Sequence, residues 1–207
     1  MTIIQKIKSI YMLIHRLIDR TTMYRVVIYA LGVIVIGAFV LSFLDVLFAD
    51  PLELFVSLMV IAISTFLAHV LCARIWKAPA NLSSSAITAL ILFLILPPTT
   101  QVSSLSVIAG ISFVAIVLKY LVIFRKRHIF NPVALVLVIA GVVGVWGVDW
   151  WVGSRDLLPI VLVVGVVVVM KTRRWALVGT YLVVGMIAFI AYQYHIRDVY
   201  VEISFAN

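Results

Sequence analysis

The chain has 207 residues, 65% of them apolar and only 12% charged, and its mean hydropathy is +1.26. Too few charges remain to cover a water-soluble surface, so lipid is the solvent for most of the chain. The net charge of +8 does not point to nucleic acid, because the basic residues fall in short clusters between apolar runs, and the single cysteine, Cys72, permits no intrachain disulfide.

Residues 1–22 form the first unit. Ile3, Ile4, Ile7, Ile10, Ile14 and Leu17 recur at helical spacing, while Lys6, Lys8, Arg16 and Arg20 occupy other faces. This pattern predicts an amphipathic helix lying on the membrane as an interfacial anchor. With charges spread among its apolar residues, the stretch does not read as a cleavable signal peptide.

Seven apolar segments follow, at about 24–48, 52–73, 84–98, 104–124, 132–151, 157–170 and 175–192. Most approach the ~20 residues needed to cross a hydrocarbon core. The fold class is therefore all-α, a polytopic membrane protein. The charges alternate from loop to loop. Lys6, Lys8, Arg16, Arg20, Arg25, Arg74, Lys77, Lys119, Arg125, Lys126, Arg127, Lys171, Arg173 and Arg174 fall on one side. Only Arg155 and Arg197 fall on the other, together with Asp45, Asp50, Glu53, Asp149, Asp156, Asp198 and Glu202. The positive-inside rule then places the N-terminus in the cytoplasm and the chain in a cytoplasmic, or inner, membrane. Trp150 and Trp151 beside Asp149, and Trp76 and Trp175 beside basic loops, read as interfacial anchors.

The third segment is the most informative. Asn81, Ser83, Ser84 and Ser85 stand between a basic loop and an apolar run too short to span, which ends at Pro97-Pro98. The expectation is a broken half-helix, with polar non-helical backbone on its serine side crossing the remaining depth. Broken helices of this kind build binding sites in transport folds. The bland alternative places the serines on a helix that faces its neighbours.

Ser85-Ala86-Ile87-Thr88, the apolar run and Pro97-Pro98, followed by Lys119 and by His128-Ile129-Phe130-Asn131-Pro132-Val133, resemble the NqrB/RnfD family of membrane subunits. These belong to ion-translocating NADH:quinone reductases and Rnf complexes. The resemblance covers about residues 84–140. It implies an inverted repeat of five plus five helices, with 23–151 as the first repeat and 152–207 as a partial second one. It also implies a flavin-linked electron-transport function, with ion translocation as a family property and other electron-transport subunits or a reductase domain as partners. Ser85, Thr88, Pro97, Pro98, Asn131 and Pro132 are the residues carried over as cofactor-binding candidates. The family's Ser-Gly-Ala-Thr stretch, whose threonine holds FMN covalently, has no counterpart here, so the expected cofactor is non-covalent FMN or riboflavin. A basic run, Arg125-Lys126-Arg127, replaces the family's glycine-rich turn.

Single residues carry plainer readings beside these. Asn131-Pro132 fits an ordinary helix start, with Asn as cap and Pro at the first helical position. His69 lies inside a span, where haem or quinone ligation or proton transfer competes with a hydrogen-bonded packing role. The sequence favours packing. Lys119 lies close enough to the basic loop to snorkel to the headgroups. Gly141, Gly144, Gly147, Gly179 and Gly185 read as points of close helix contact. No motif for soluble nucleotide binding or for a metal site is present. Two rival functions use the same features: a small-solute channel or transporter, and a cofactor-free membrane anchor for a reductase domain.

Overall fold

The structure is a computed structural model that describes residues 22–77, 82–124, 127–128, 131–144 and 150–205, with side chains described for 22–77, 82–122, 131–144 and 150–194. The expected interfacial helix at 1–22 lies almost wholly outside these residues. Seven α-helices are described: α1 (Met23–Phe43), α2 (Pro51–Ile75), α3 (Leu82–Ile95), α4 (Val102–Leu121), α5 (Pro132–Val142), α6 (Leu158–Thr172) and α7 (Trp175–Phe205). A two-residue antiparallel pairing, Ile123–Phe124 with Arg127–His128, links α4 to α5.

Each helix coincides with one of the seven apolar segments. By length and composition four of them, α1, α2, α4 and the Trp175–Tyr194 part of α7, are able to cross a membrane. The other three are shorter apolar helices. The long helices have apolar side chains on their outward faces: Tyr29, Val33, Ile36 and Val40 on α1, and Ile63, Phe66 and Leu67 on α2, are all exposed. A water-soluble bundle would place polar groups there, so the exposed faces suit a bilayer.

Residues up to Val168 form one compact unit and Val169–Asn207 another. In the first, the short helix α3 stands at the centre and touches α1, α2, α4 and α5. Leu92, Phe93, Leu94 and Leu96 are buried at its core, together with Leu54, Ile61, Ile108, Val133 and Val136 from the surrounding helices. The second unit is the long helix α7, whose side chains from Trp175 to Tyr194 are exposed or nearly so.

The non-helical backbone expected on the serine side of the third segment is not found among the described residues. Ser83, Ser84 and Ser85 lie within α3, in its first turn. The non-helical backbone follows the helix instead, from Pro97 to Gln101. The physical reason lies in the residue types. Serine is compatible with the first turn of a helix, where free N–H groups need oxygen acceptors, whereas Pro97-Pro98 removes two donors and ends the helix. The extended stretch does not leave its backbone unpaired. The N–H of Thr99 donates to Ser57 Oγ at 2.9 Å, and that hydroxyl donates back to the Thr99 carbonyl at 3.0 Å. Ser57, on α2, thus satisfies both backbone groups of one residue at a depth where water is scarce.

A second device closes the same end of α3. The indole N–H of Trp151 donates to the carbonyl of Phe93 at 3.0 Å, one of the C-terminal carbonyls that no intrahelical N–H can reach. Trp151 is 4% exposed and meets Phe93 and Phe48 edge to face, with ring centres 5.7 Å and 6.2 Å apart. It is a core residue, not the interfacial anchor its position beside Asp149 suggests. Trp150 is 61% exposed.

The glycine readings also need correction. Gly144 has φ +71° and its N–H bonds the Gly141 carbonyl, so it stops α5 instead of letting another helix approach. A Cβ built at Gly141, Gly179 or Gly185 meets nothing within 4 Å. Gly37 is where close approach occurs: a Cβ there would lie 2.7 Å from Ile160 Cδ1 of α6.

Replacing Trp151 with Phe keeps an aromatic ring in place and leaves the Phe93 carbonyl without its donor. The expected cost is about 1–3 kcal/mol in unfolding experiments in detergent, against less than about 0.5 kcal/mol for Trp150→Phe at the exposed neighbour.

Candidate functional site

Polar side chains inside an apolar bundle mark the place to look, since each must find a partner or cost several kcal/mol. Most of those on α2 are satisfied structurally. Ser64 Oγ donates to the Ala109 carbonyl of α4 at 2.6 Å, and Thr65 Oγ1 bonds back to the carbonyls of Ile61 and Ala62. One group does more. His69, 3% exposed, meets two side chains from two other helices at once.

The His69 ring is set by the end of α2 that leads to Arg74 and Lys77. Six residues separate it from Ile75, so it lies about 9 Å along the helix from that end. Here the first turn of α3 and the last turn of α4 come together. Ser85 Oγ lies 2.9 Å from His69 Nδ1, and the Tyr120 hydroxyl lies 2.9 Å from the same nitrogen. Tyr120 also packs its ring against Trp76 at 6.1 Å. The other ring nitrogen of His69, Nε2, is buried without a hydrogen-bond partner.

One turn further along α3, Thr88 extends the polar group. Its hydroxyl donates to the Ser84 carbonyl at 3.0 Å, and the Lys119 ammonium reaches its oxygen at 3.5 Å. Lys119 therefore turns towards α3 as well as lying near the basic loop. The helices that supply these groups carry one acidic residue, Glu53, at the far end of α2. The polar group is thus hydroxyls, an imidazole and an ammonium, with no carboxylate.

A cavity of about 350 Å³ opens beside this group between α2 and α3. His69, Ser85 and Thr65 line it together with Leu58, Ala62, Phe66 and Leu90, and the surface they leave open to it is almost wholly apolar. A volume in the ~300–1,000 Å³ range with a few convergent polar groups is typical of ligand pockets. A second groove of about 240 Å³ between α4 and α5 is lined by Val, Ile, Ala and Gly side chains alone. It offers nothing to orient a ligand.

The six residues expected to bind a cofactor separate into three places. Ser85 and Thr88 come together with His69, Lys119 and Tyr120. Pro97 and Pro98 lie beyond the other end of α3, roughly 20 Å from Ser85 at helical rise; Pro98 is buried there, in the stretch held by Ser57. Asn131 and Pro132 open α5, and the Asn131 side chain accepts from the Val133 N–H at 3.1 Å, which is the ordinary helix cap. Among the described residues no hydrogen bond joins Asn131 to Ser85 or Thr88.

Sequence reasoning found His69 and read it as hydrogen-bonded packing, and its Nδ1 contacts agree with that. It missed Tyr120, because a tyrosine near a helix end is unremarkable until a buried acceptor is known to face it. Comparisons of the chain with protein-family models, with curated proteins and with solved structures found no match.

Ser85 and Tyr120 share one acceptor, which makes their contributions interdependent. When either hydroxyl is removed, the other takes the whole lone pair. Ser85→Ala and Tyr120→Phe are therefore expected to be individually mild and jointly worse than additive, with a coupling of about 0.5–1 kcal/mol in a double-mutant cycle of unfolding in detergent.

Proposed function

We propose that this chain is a membrane subunit of a flavin-linked electron-transport system, of the kind its Ser85–Thr88, Pro97–Pro98 and Asn131–Pro132 patterns resemble. The observation that carries the reading is the hydroxyl–imidazole group of Ser85, Tyr120 and His69, two members of which, Ser85 and His69, are among the residues of the α2–α3 cavity. It stands on the helix that carries the resemblance, and the cavity offers apolar faces for a planar ring.

In this reading the cavity would hold the ring of a non-covalent flavin against its apolar lining. Ser85 and His69 line the cavity itself. Lys119 reaches Thr88, one helical turn along α3 from Ser85, and the bound flavin would be FMN or riboflavin. The flavin, when bound, supplies the electron-accepting chemistry that no side chain here provides. The protein's share is to bind and orient the ring, to exclude water with Leu58, Phe66 and Leu90, and to set the local field with the Lys119 ammonium. Apolar walls strengthen that field relative to water.

In this reading all seven helices cross or enter the bilayer, the N-terminus faces the cytoplasm, and 23–151 and 152–207 are a first and a partial second repeat of an inverted pair. The placement of fourteen of the sixteen basic residues on one side supports the orientation. A reductase domain or companion subunit meets the cytoplasmic ends. The channel reading has less support, because the polar groups bond to one another instead of lining a continuous path.

Purification in mild detergent, followed by visible absorption and fluorescence before and after acid denaturation, tests the cofactor. The expected result is flavin released on denaturation, reduced several-fold in Ser85→Ala/Thr88→Val. Folded protein that stays colourless after incubation with FMN and riboflavin removes the reading. The topology is checked separately by labelling single cysteines in a Cys72→Ala background with a membrane-impermeant reagent in intact cells. Asp156→Cys should label and Lys77→Cys should not; the reverse pattern would invert the proposed orientation.

A further inference from the structure

Three non-glycine residues have backbone φ in the left-handed region: Asp45 at +54°, Lys77 at +47° and Arg173 at +55°. All three are charged, in a chain where only 12% of residues are. They stand just past the ends of α1, α2 and α6, where glycine is the usual residue because a Cβ crowds the backbone. Aspartate tolerates this conformation through its short polar side chain, and lysine and arginine gain no such relief. The orientation of a span depends on how many basic residues lie near its end, not on which of them takes a strained turn. Lys77 and Arg173 therefore call for a second reason.

The surroundings of the two are alike. Arg74 precedes Lys77 by three residues with Trp76 between them, and Arg174 and Trp175 follow Arg173 directly. All six residues are exposed. Among the described residues no ion pair or hydrogen bond engages the charged groups of Arg74, Lys77, Arg173 and Arg174, or the indole N–H of Trp76. The carboxylates of α2 and its cap, Asp50 and Glu53, stand at its other end. Trp76 is held from within, because its ring packs on Tyr120 at 6.1 Å and the Tyr120 hydroxyl reaches His69. Behind the turn, Leu67, Leu71 and Ile75 of α2 are exposed and apolar. This combination matches one occupant. Guanidinium and ammonium groups donate to phosphate oxygens, an interfacial indole sits at the glycerol level, and apolar side chains lie against acyl chains. We propose that the Arg74–Lys77 turn binds the headgroup phosphate of an anionic phospholipid, and that the Arg173–Trp175 turn is a second site of the same kind. The inference goes beyond the flavin reading and does not depend on it.

Thermal unfolding of the full chain in nonionic detergent tests it, since a ligand of the folded state raises Tm. Added phosphatidylglycerol should raise Tm by a few degrees more than phosphatidylcholine, and inorganic phosphate, which lacks the chains, should not. In phosphatidylcholine, Lys77→Gly should melt at or above the native chain, because glycine relieves the turn. Its rise with phosphatidylglycerol should fall by about half, and Arg74→Gln/Lys77→Gly/Arg173→Gly should lose most of it. Lys77→Arg, which keeps the charge, and Arg155→Gln/Arg197→Gln, which removes charge from the other side, should keep the rise. An undiminished rise in the triple variant overturns the proposal. So does an equal loss in Arg155→Gln/Arg197→Gln, which would make net charge the cause. A Lys77→Gly chain that melts well below the native one in phosphatidylcholine makes Lys77 a structural residue and overturns its assignment to lipid. A rise with inorganic phosphate as large as with phosphatidylglycerol overturns the lipid as the source of the phosphate.

Discussion

The rest of the first unit is arranged around the length of α3. Fourteen residues rising about 1.5 Å each make a helix of about 21 Å, in a bundle whose hydrocarbon layer is about 30 Å thick. A helix that short at the centre of a bundle leaves free backbone groups at its ends among the neighbouring helices. The neighbours must complete it, and they do so differently at its two ends. At the C-terminal end, Trp151 takes the Phe93 carbonyl and Ser57 takes both backbone groups of Thr99. At the N-terminal end, the serines of the first turn bring hydroxyls into a region shared with α2 and α4. One of them, Ser85, is drawn to His69.

The same constraint explains why polar chemistry collects at one end. Satisfying the C-terminal end uses up its donors and acceptors completely: Ser57 donates and accepts, and the tryptophan has a single N–H. At the other end the count does not close. Three helices contribute two hydroxyls to one imidazole nitrogen, and the second nitrogen is left over. Low dielectric raises the stakes of each of these bonds in both directions. A cavity at that end is thus bordered by a polar group with unused capacity, and the apolar groove between α4 and α5 is not. Lys119 adds a positive charge that no acidic residue of these helices opposes.

Most of the architecture was legible from hydropathy. The seven apolar segments coincide with α1–α7, and the Asn131-Pro132 pair caps α5 as those residue types dictate, with the Asn side chain accepting from Val133. The candidate site was legible only in part. Ser85, Thr88 and His69 were visible as polar residues in apolar runs, but their meeting at one end of α3 was not. Nor was the role of Tyr120, because its value depends on a partner 51 positions away. Trp151 and Gly144 show the same limit. Their neighbours along the chain suggest a membrane anchor and a helix contact, and their positions in space make them a core cap and a helix stop.

Composition and periodicity alone determined that the chain is helical and belongs with lipid, because hydropathy and the ~20-residue span are local, additive properties of a segment. Local chemistry also determined that one helix stops before Pro97-Pro98 and that another starts at Asn131-Pro132, because proline lacks a donor and is accepted only in the first turn of a helix. Only the tertiary structure decided which end of α3 is the irregular one, which tryptophan is buried, and which hydroxyls share the His69 nitrogen. Those outcomes turn on hydrogen bonds between residues 16 to 58 positions apart. The spacing of residues along one helix carries no information about which groups another helix will bring to meet them.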